Sequence, residues 1–189
     1  EYASGGRAVA EQVAQQLGIP CYGNELLLMA AERKGVSPAL LARHEERANN
    51  SFLYSLFLLG QVTAGKGDLT QKDELMVLES TIIWEIAAKE QPCVFVGRAA
   101  HSVLKDRNDV LSVFIYSNPE QRKKRAVENY GVPPAVAAER LREIDRRRAN
   151  YYKSYTGEAG DDRTHYHLML NSGKRGLEGC VKNITAVMQ

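Results

Sequence analysis

Three absences narrow the function of this chain before any motif is read. No apolar stretch is long enough to cross a bilayer: the greasiest run, Phe52 to Leu59, is broken by Tyr54 and Ser55, and falls far short of the roughly 20 residues that a spanning helix needs. No cysteines pair by pattern. Cys21, Cys93 and Cys180 are odd in number and scattered, without CxxC spacing, which sets aside a disulfide framework and suits a reducing cytoplasm. There is no large excess of one charge either: the formal net charge is +2 over 189 residues, too near neutral for a dedicated nucleic-acid binder. Secretory signal, internal repeat and low-complexity tract are likewise not seen. With 44% hydrophobic residues, the composition fits one domain large enough for a real core.

The cations that are present gather in one place. Glu139 to Lys153 reads ERLREIDRRRANYYK and sets Arg140, Arg142, Arg146, Arg147, Arg148 and Lys153 among three acids and a Tyr pair. With a period of 3.6, Ala137, Leu141 and Ile144 form an apolar row that Arg148 continues one turn on. That spacing predicts an arginine aimed at the protein body. Arginine is suited to planar, bidentate grip on phosphate. The competing reading is a solvated helix laced with pairs such as Glu139–Arg142 or Glu143–Arg147.

The start of the chain points to the same ligand chemistry. Ala3-Ser4-Gly5-Gly6-Arg7 leads into an amphipathic helix with Val9, Ala10, Val13, Ala14 and Leu17 on one face. A Gly pair lets backbone N–H groups approach an anion, and the following helix adds its positive dipole end. Candidate phosphate-binding residues are therefore Ser4, Gly5, Gly6, Arg7 and Ala8. A Walker loop carries Lys and then Ser/Thr after its last Gly, whereas Gly6 is followed by Arg7 and Ala8. An ordinary N-terminal turn is the alternative. Phosphate loops follow a buried strand, so a first strand upstream of Glu1 is expected.

Between these ends, short apolar runs alternate with helical patterns. Strands are expected at Ile19–Tyr22, Cys93–Val96, Val110–Tyr116 and Tyr166–Asn171. Helices are expected over about Glu25–Lys34, Ser37–Arg47, Lys72–Lys89 and Pro119–Tyr130, in the arginine segment, and after Ser172-Gly173. Gly60 to Thr70, with three Gly and no periodicity, reads as a mobile loop. This alternation predicts an α/β fold with a parallel sheet covered on both faces. Ligands of such sheets lie at the strands' carboxyl ends, which picks out Gly97-Arg98. A salt bridge at a strand end is the alternative for Arg98. His165 and His167 could share a side, but no Cys or carboxylate follows at ligand spacing, and no metal site is expected there.

Taken in order, ASGGR, IPCY, VFVGRAA, VLSVFIYSNPEQRKKR, DRRRANYYKSYTG and YHLMLNSGKRGLEG resemble the cytidylate kinase-like family. The resemblance implies a P-loop NTPase-like parallel sheet flanked by helices, in a single domain over 1–189. It also implies a helical arginine-rich lid over about 139–162, and 36–72 is a candidate acceptor-binding insert. ATP as donor, Mg²⁺ as its companion ion and a cytoplasmic location are expected with it. Arg98 matches the Arg of a Gly-Arg-Asp motif on the acceptor side, while the Asp position is Ala99. Asp145 and Arg148 match an Asp-x-x-Arg step that holds a nucleoside monophosphate. Arg146 and Arg147 are candidates for gripping the transferred phosphate, with Arg7 a replacement for the missing loop Lys and Ser4 a hydroxyl for the ion. Arg122 and Arg125 follow the VFIY strand as basic residues do in the family and read as mostly structural, with contact to the donor the alternative. Asn171-Ser172-Gly173 falls where related kinases pass the donor base. The expected catalytic set is thus Arg7, Arg98, Arg146 and Arg147.

The partners expected are ATP and a small phosphorylated acceptor, with neither nucleic acid nor membrane. Two rival readings stand beside the kinase. One is a nucleotide-binding sensor that kept the fold and lost the chemistry, favoured by Ala8 and Ala99. The other is a nucleic-acid binder using the arginines as a basic patch, disfavoured by the near-neutral total.

Overall fold

The computed structural model describes residues 1–33 and 69–188. The chain divides into two compact units, Glu1–Cys21 with Pro92–Gln189, and Tyr22–Gln91. The expected helix at Ser37–Arg47, most of the expected insert 36–72 and most of the expected loop from Gly60 lie outside the described residues. Leu69 and Thr70 already belong to a helix, which corrects the loop's far boundary.

The larger unit opens with α1 (Gly6–Leu17), closed by Gly18 in the left-handed region with φ 66°. The chain enters β1 (Cys21–Tyr22) and returns at β2 (Val94–Phe95), where the Val94 N–H donates to the Pro20 carbonyl at 2.9 Å. A one-turn helix, α4 (Ala100–Val103), precedes β3 (Val113–Tyr116). Helix α5 (Pro119–Tyr130) starts where it should: Asn118 accepts from the Gln121 N–H, and Pro119 fills the first turn. After a 3-10 turn at Pro134–Val136 comes α6 (Ala137–Thr156), ended by Gly157 at φ 77°. Then β4 (Leu168–Asn171) runs parallel to β3 in the register Val113–Leu168 to Tyr116–Asn171. It passes into α7 (Ser172–Val187), kinked at Gly176.

Helices α1 and α7 share one core. Val9 and Val13 pack with Cys180, Val181 and Ile184, over Val94, Val113, Ile115 and Leu170 from the strands. Alternation sends Phe114 to the other face, where its ring centroid lies 4.9 Å from that of Tyr166. The parallel β3–β4 pairing agrees with the sequence pattern. The strands are shorter than their apolar runs, and for β3 the reason is visible. The Ser112 N–H donates to His167 Nδ1 at 2.9 Å, so a side chain takes the place of a ladder partner. His167 therefore fixes where the β3–β4 ladder begins.

In the smaller unit, α2 (Glu25–Arg33) buries Leu26, Leu27, Ala30 and Ala31 and packs on α3 (Leu69–Ala87), which buries Met76, Ile82, Ile83 and Ile86. Arg33 makes a two-bond, exposed pair with Glu85, with Nη1 to Oε1 at 3.0 Å.

Gly5 is the tightest point of the larger unit. It has φ 85°, and a Cβ there would lie 2.5 Å from Leu177 Cδ2 and 3.4 Å from Arg125 Cζ. Gly5→Ala should cost about 1–2 kcal/mol for the left-handed backbone, plus a contact term that Leu177→Ala relieves. Thermal melts of the single and double variants separate the two. Full recovery in the double variant would show that the backbone is not strained.

Candidate functional site

The segment ahead of α1 is held by side chains from three other helices. Arg122 Nε donates to the Tyr2 carbonyl at 2.8 Å, Arg125 Nη1 to the Ala3 carbonyl at 2.8 Å, and Ser172 Oγ to the Ser4 carbonyl at 2.5 Å. Three consecutive carbonyls are thereby tied down. The Tyr2 N–H donates to Asp145 Oδ1 at 2.8 Å. In a planar trans peptide the C=O and the next N–H point to opposite sides, so tying the carbonyls fixes the amides. Ala3 and Gly5 both take positive φ, 57° and 85°. Helix α1 has no side-chain cap, and its first bond is Val9 N–H to the Gly5 carbonyl at 3.0 Å. The amides of its opening turn come before that bond and face out of the helix end, the usual setting for an anion.

The predicted site residues divide into two groups. Ser4, Gly5 and Gly6 form this loop, with Ser4 only 2% exposed. Ala8 lies in the first turn of α1. Asp145 and Arg148 come to the loop through Tyr2: Asp145 bonds its N–H, and the Arg148 guanidinium lies 5.7 Å from its ring centroid. The inward aim predicted for Arg148 is found. Burial pushes its guanidinium down to about 10, with Asp145 acting in the opposite direction. Asp145 also pairs with Arg122, so both its carboxylate oxygens are engaged. Arg7 is exposed and donates to Glu11 at 2.6 Å. Arg146 and Arg147 are exposed on α6. Arg147 pairs with Glu143, which Arg140 also reaches at 2.8 Å. The solvated helical pair expected for Glu143 and Arg147 is thus present alongside the inward-facing Arg148.

Arg98 is 8% exposed. It is the middle of three successive left-handed residues, Gly97 at φ 71°, Arg98 at φ 56° and Ala99 at φ 52°. Only Gly enters that region freely, and each of the other two costs about 1–2 kcal/mol. Strain of this kind gathers at ligand-binding turns.

Sequence reasoning missed an aromatic cluster beside this turn. His101 Nε2 and Tyr152 Oη are 2.7 Å apart, and the Tyr166 ring centroid lies 4.9 Å from that of His101. Tyr166 Oη donates to the Gly160 carbonyl at 2.5 Å, and His165 Nε2 is 3.2 Å from Glu158. Tyr151 and Tyr152 are buried, and Gly160 lies against the Tyr152 ring. The end of α6 and residues 157–162 are therefore packed onto the body. The available signal was the aromatic and His content of positions 151–167, but no periodicity links those residues to His101.

A family model described as the cytidylate kinase-like family matches residues 1–174. The chain belongs to the cytidylate kinase-like family. A cytidylate kinase from Archaeoglobus fulgidus is 28% identical over 190 residues, covering 98% of this chain and 89% of that protein. Among solved structures, an uncharacterized protein from Eubacterium ventriosum superposes with a TM-score of 0.71 at 23% identity, over 100% of this chain and 93% of that one. Shikimate kinase from Acinetobacter baumannii, in complex with shikimate, superposes with a TM-score of 0.52 at 13% identity, over 98% of this chain and 87% of that one. These superpositions show a shared fold. No helix among the described residues is long and apolar enough to cross a membrane.

Membership of a kinase family implies ATP and Mg²⁺. The loop's carbonyls are tied inward, which leaves backbone amides as the groups that a nucleotide phosphate would meet there. The donor set does not fit a protein-held Mg²⁺, which takes carboxylate and hydroxyl oxygens. Ala8 and Ala99 stand at the family's hydroxyl and carboxylate positions, and Asp145 is engaged by Tyr2 and Arg122. Among the described residues no group of three or more His, Cys, Asp and Glu is placed to hold an ion.

His101 titrates low, at about 4, because burial and then neighbouring His165 disfavour its charge, with Glu158 opposing. Its folded value is below the unfolded value near 6.5. The unfolded chain therefore takes up the proton first, and this contribution to stability is full above about pH 6.5 and lost as pH falls toward 4. Melting temperatures of the wild type and His101→Gln between pH 7 and 4 should diverge, the wild type falling more steeply. Parallel curves would show that His101 is not held neutral by the fold.

Proposed function

We propose that the protein transfers the terminal phosphoryl group of ATP to a nucleoside monophosphate, cytidylate-like, or to a similar small phosphorylated acceptor. The observation that carries this reading is the loop with three tied carbonyls and an uncapped helix end, in a chain of this family. In the proposed arrangement Ser4 to Ala8 cradle the donor phosphates through backbone amides. Arg98, Asp145 and Arg148 hold the acceptor.

An acceptor phosphate oxygen attacks the terminal phosphorus, and the bridging oxygen leaves with the bonding electrons as part of ADP. The attacking oxygen is already an anion near neutral pH, so no general base is required. This makes Ala99 compatible with turnover. Positioning and charge neutralisation supply the catalysis. Arg7 and Arg147 exchange their carboxylate partners, Glu11 and Glu143, for phosphate oxygens, and Arg146 joins them. Exposed ion pairs contribute only about 0–1 kcal/mol, so this exchange costs little. Closure of the segment 146–162 excludes water that would otherwise hydrolyse ATP. Mg²⁺, on this reading, arrives with the nucleotide.

A second reading, a catalytically impaired nucleotide sensor with the same fold, is favoured by Ala8, Ala99 and the double engagement of Asp145. Acceptor-dependent formation of ADP from ATP decides between them, measured with CMP and other monophosphates in turn. Binding of both nucleotides without turnover would select the sensor.

Arg98→Ala should cost about 2–4 kcal/mol of acceptor or transition-state stabilisation, as for a charged hydrogen-bond partner removed from a dry site. Calorimetric titrations with CMP, paired with thermal melts, measure this. A large melting shift with unaltered binding would make Arg98 a structural residue. For the lid, hydrogen exchange over 146–162 should slow when ATP and Mg²⁺ are added. Equal protection with and without nucleotide would make α6 a fixed helix.

A further inference from the structure

We propose that Arg122 is a positioning residue that couples the arginine helix α6 to the phosphate loop. The inference rests on the kinase reading for its consequence in binding, but the coupling itself is a matter of geometry.

Among the described residues, Arg98 and Arg122 are the buried arginines, and Arg122 is 6% exposed. Burying a guanidinium on a surface helix is costly unless each of its sides finds a partner. Arg122 finds three. Its Nε donates to the Tyr2 carbonyl at 2.8 Å, its Nη2 pairs with Asp145 on α6, and its Nη1 lies 3.6 Å from the Glu1 carboxylate. The other Asp145 oxygen accepts the Tyr2 N–H at 2.8 Å. One ion pair therefore holds both backbone polar groups of Tyr2 and closes a ring of three hydrogen bonds. Tyr2 is also fixed by its side chain. It is 3% exposed, with the Tyr130 ring centroid at 5.6 Å and the Arg148 guanidinium at 5.7 Å.

Tyr2 immediately precedes Ala3, the first left-handed residue of the loop, and Gly5 and Gly6 follow within one turn. A shift of α6 at Asp145 or Arg148 must then displace Tyr2, and with it the amides that meet the donor phosphates. Asp145 and Arg148 are the residues assigned to the acceptor. Donor and acceptor binding are thus linked through a residue that touches neither ligand, and linkage of this kind is reciprocal. A purely structural arginine would stabilise the fold without linking the two sites.

Arg122→Lys keeps one charge but cannot form the fork. Without nucleotide, it should speed amide hydrogen exchange of Tyr2–Gly6 and of 145–152 together, by about tenfold or more, while the α1–α7 core keeps its protection. Faster exchange confined to α5, or raised uniformly over the whole unit, overturns the proposal. With nucleotide, the dissociation constant of a nonhydrolysable ATP analogue is measured with and without saturating CMP. The wild type should show a linkage factor of about five or more, and Arg122→Lys should bring it close to one. An unchanged factor in a folded variant, or wild-type binding of both nucleotides with no linkage, overturns it as well. Wild-type protein that binds no nucleotide would sink the kinase reading, and the exchange comparison would then decide this one. Should Arg122→Lys fail to fold, Asp145→Asn replaces it in the exchange arm, since it keeps an acceptor for the Tyr2 N–H and removes the charge partner.

Discussion

The guanidinium of Arg122 bonded to Tyr2 and Asp145 is the interaction on which the shape of the loop ahead of α1 depends. A buried cation with carboxylate and carbonyl partners admits few geometries, because each broken bond leaves a charge in a poorly solvated place. It therefore sets the position of Tyr2, the rotation of α6 about Asp145 and the placement of Arg148 over the Tyr2 ring. Arg125 and Ser172 extend the same principle to the next two carbonyls. The loop is shaped from behind, by side chains on its carbonyl side. Such an arrangement frees the amide side for an anion without a lysine in the loop itself.

The core provides the platform for that shape. Val9 and Val13 of α1 meet Cys180, Val181 and Ile184 of α7 across the strand residues Val113, Ile115 and Leu170. Gly5 lets α7 approach the loop closely, since Leu177 occupies the space that a Cβ would need. On the opposite face of β3, Phe114, Tyr166, His101 and Tyr152 pack together and bring the end of α6 against the turn that carries Arg98. Helix α6 is consequently attached at two places one to two turns apart, through Asp145 and through Tyr152. Between them the exposed Arg147 is held by a pair with Glu143 that costs little to break.

The departures from a Walker loop gain a physical meaning here. Ala8 in the loop and Ala99 after Arg98 carry no oxygen ligand, and Asp145 is shared with the Tyr2 amide and Arg122. On the proposed reading the functional weight falls on backbone amides and arginines, which neutralise phosphate charge through several donors at once. On that reading a phosphorylated acceptor suits the site, because its attacking oxygen carries its own charge.

Much was legible in the chain itself. The 3.6 period around Leu141 and Ile144 placed Arg148 on the inner side of its helix, Gly5-Gly6 marked the start of α1, and Pro119 and Ser172-Gly173 marked two more helix starts. These are local signals, carried by backbone preferences within a few residues. The order of motifs was enough to indicate the family. Several facts required the tertiary structure. The commitment of Asp145 to Tyr2 joins residues 143 positions apart, and His167 completes a strand end at Ser112, 55 positions away. The pairing of His101 with Tyr152 and the burial of Arg122 depend on which helices meet. Sequence patterns report which face of an element is apolar, since periodicity follows from backbone geometry. They do not report which polar groups meet across that face, because hydrogen-bond partners are chosen only once the elements have packed.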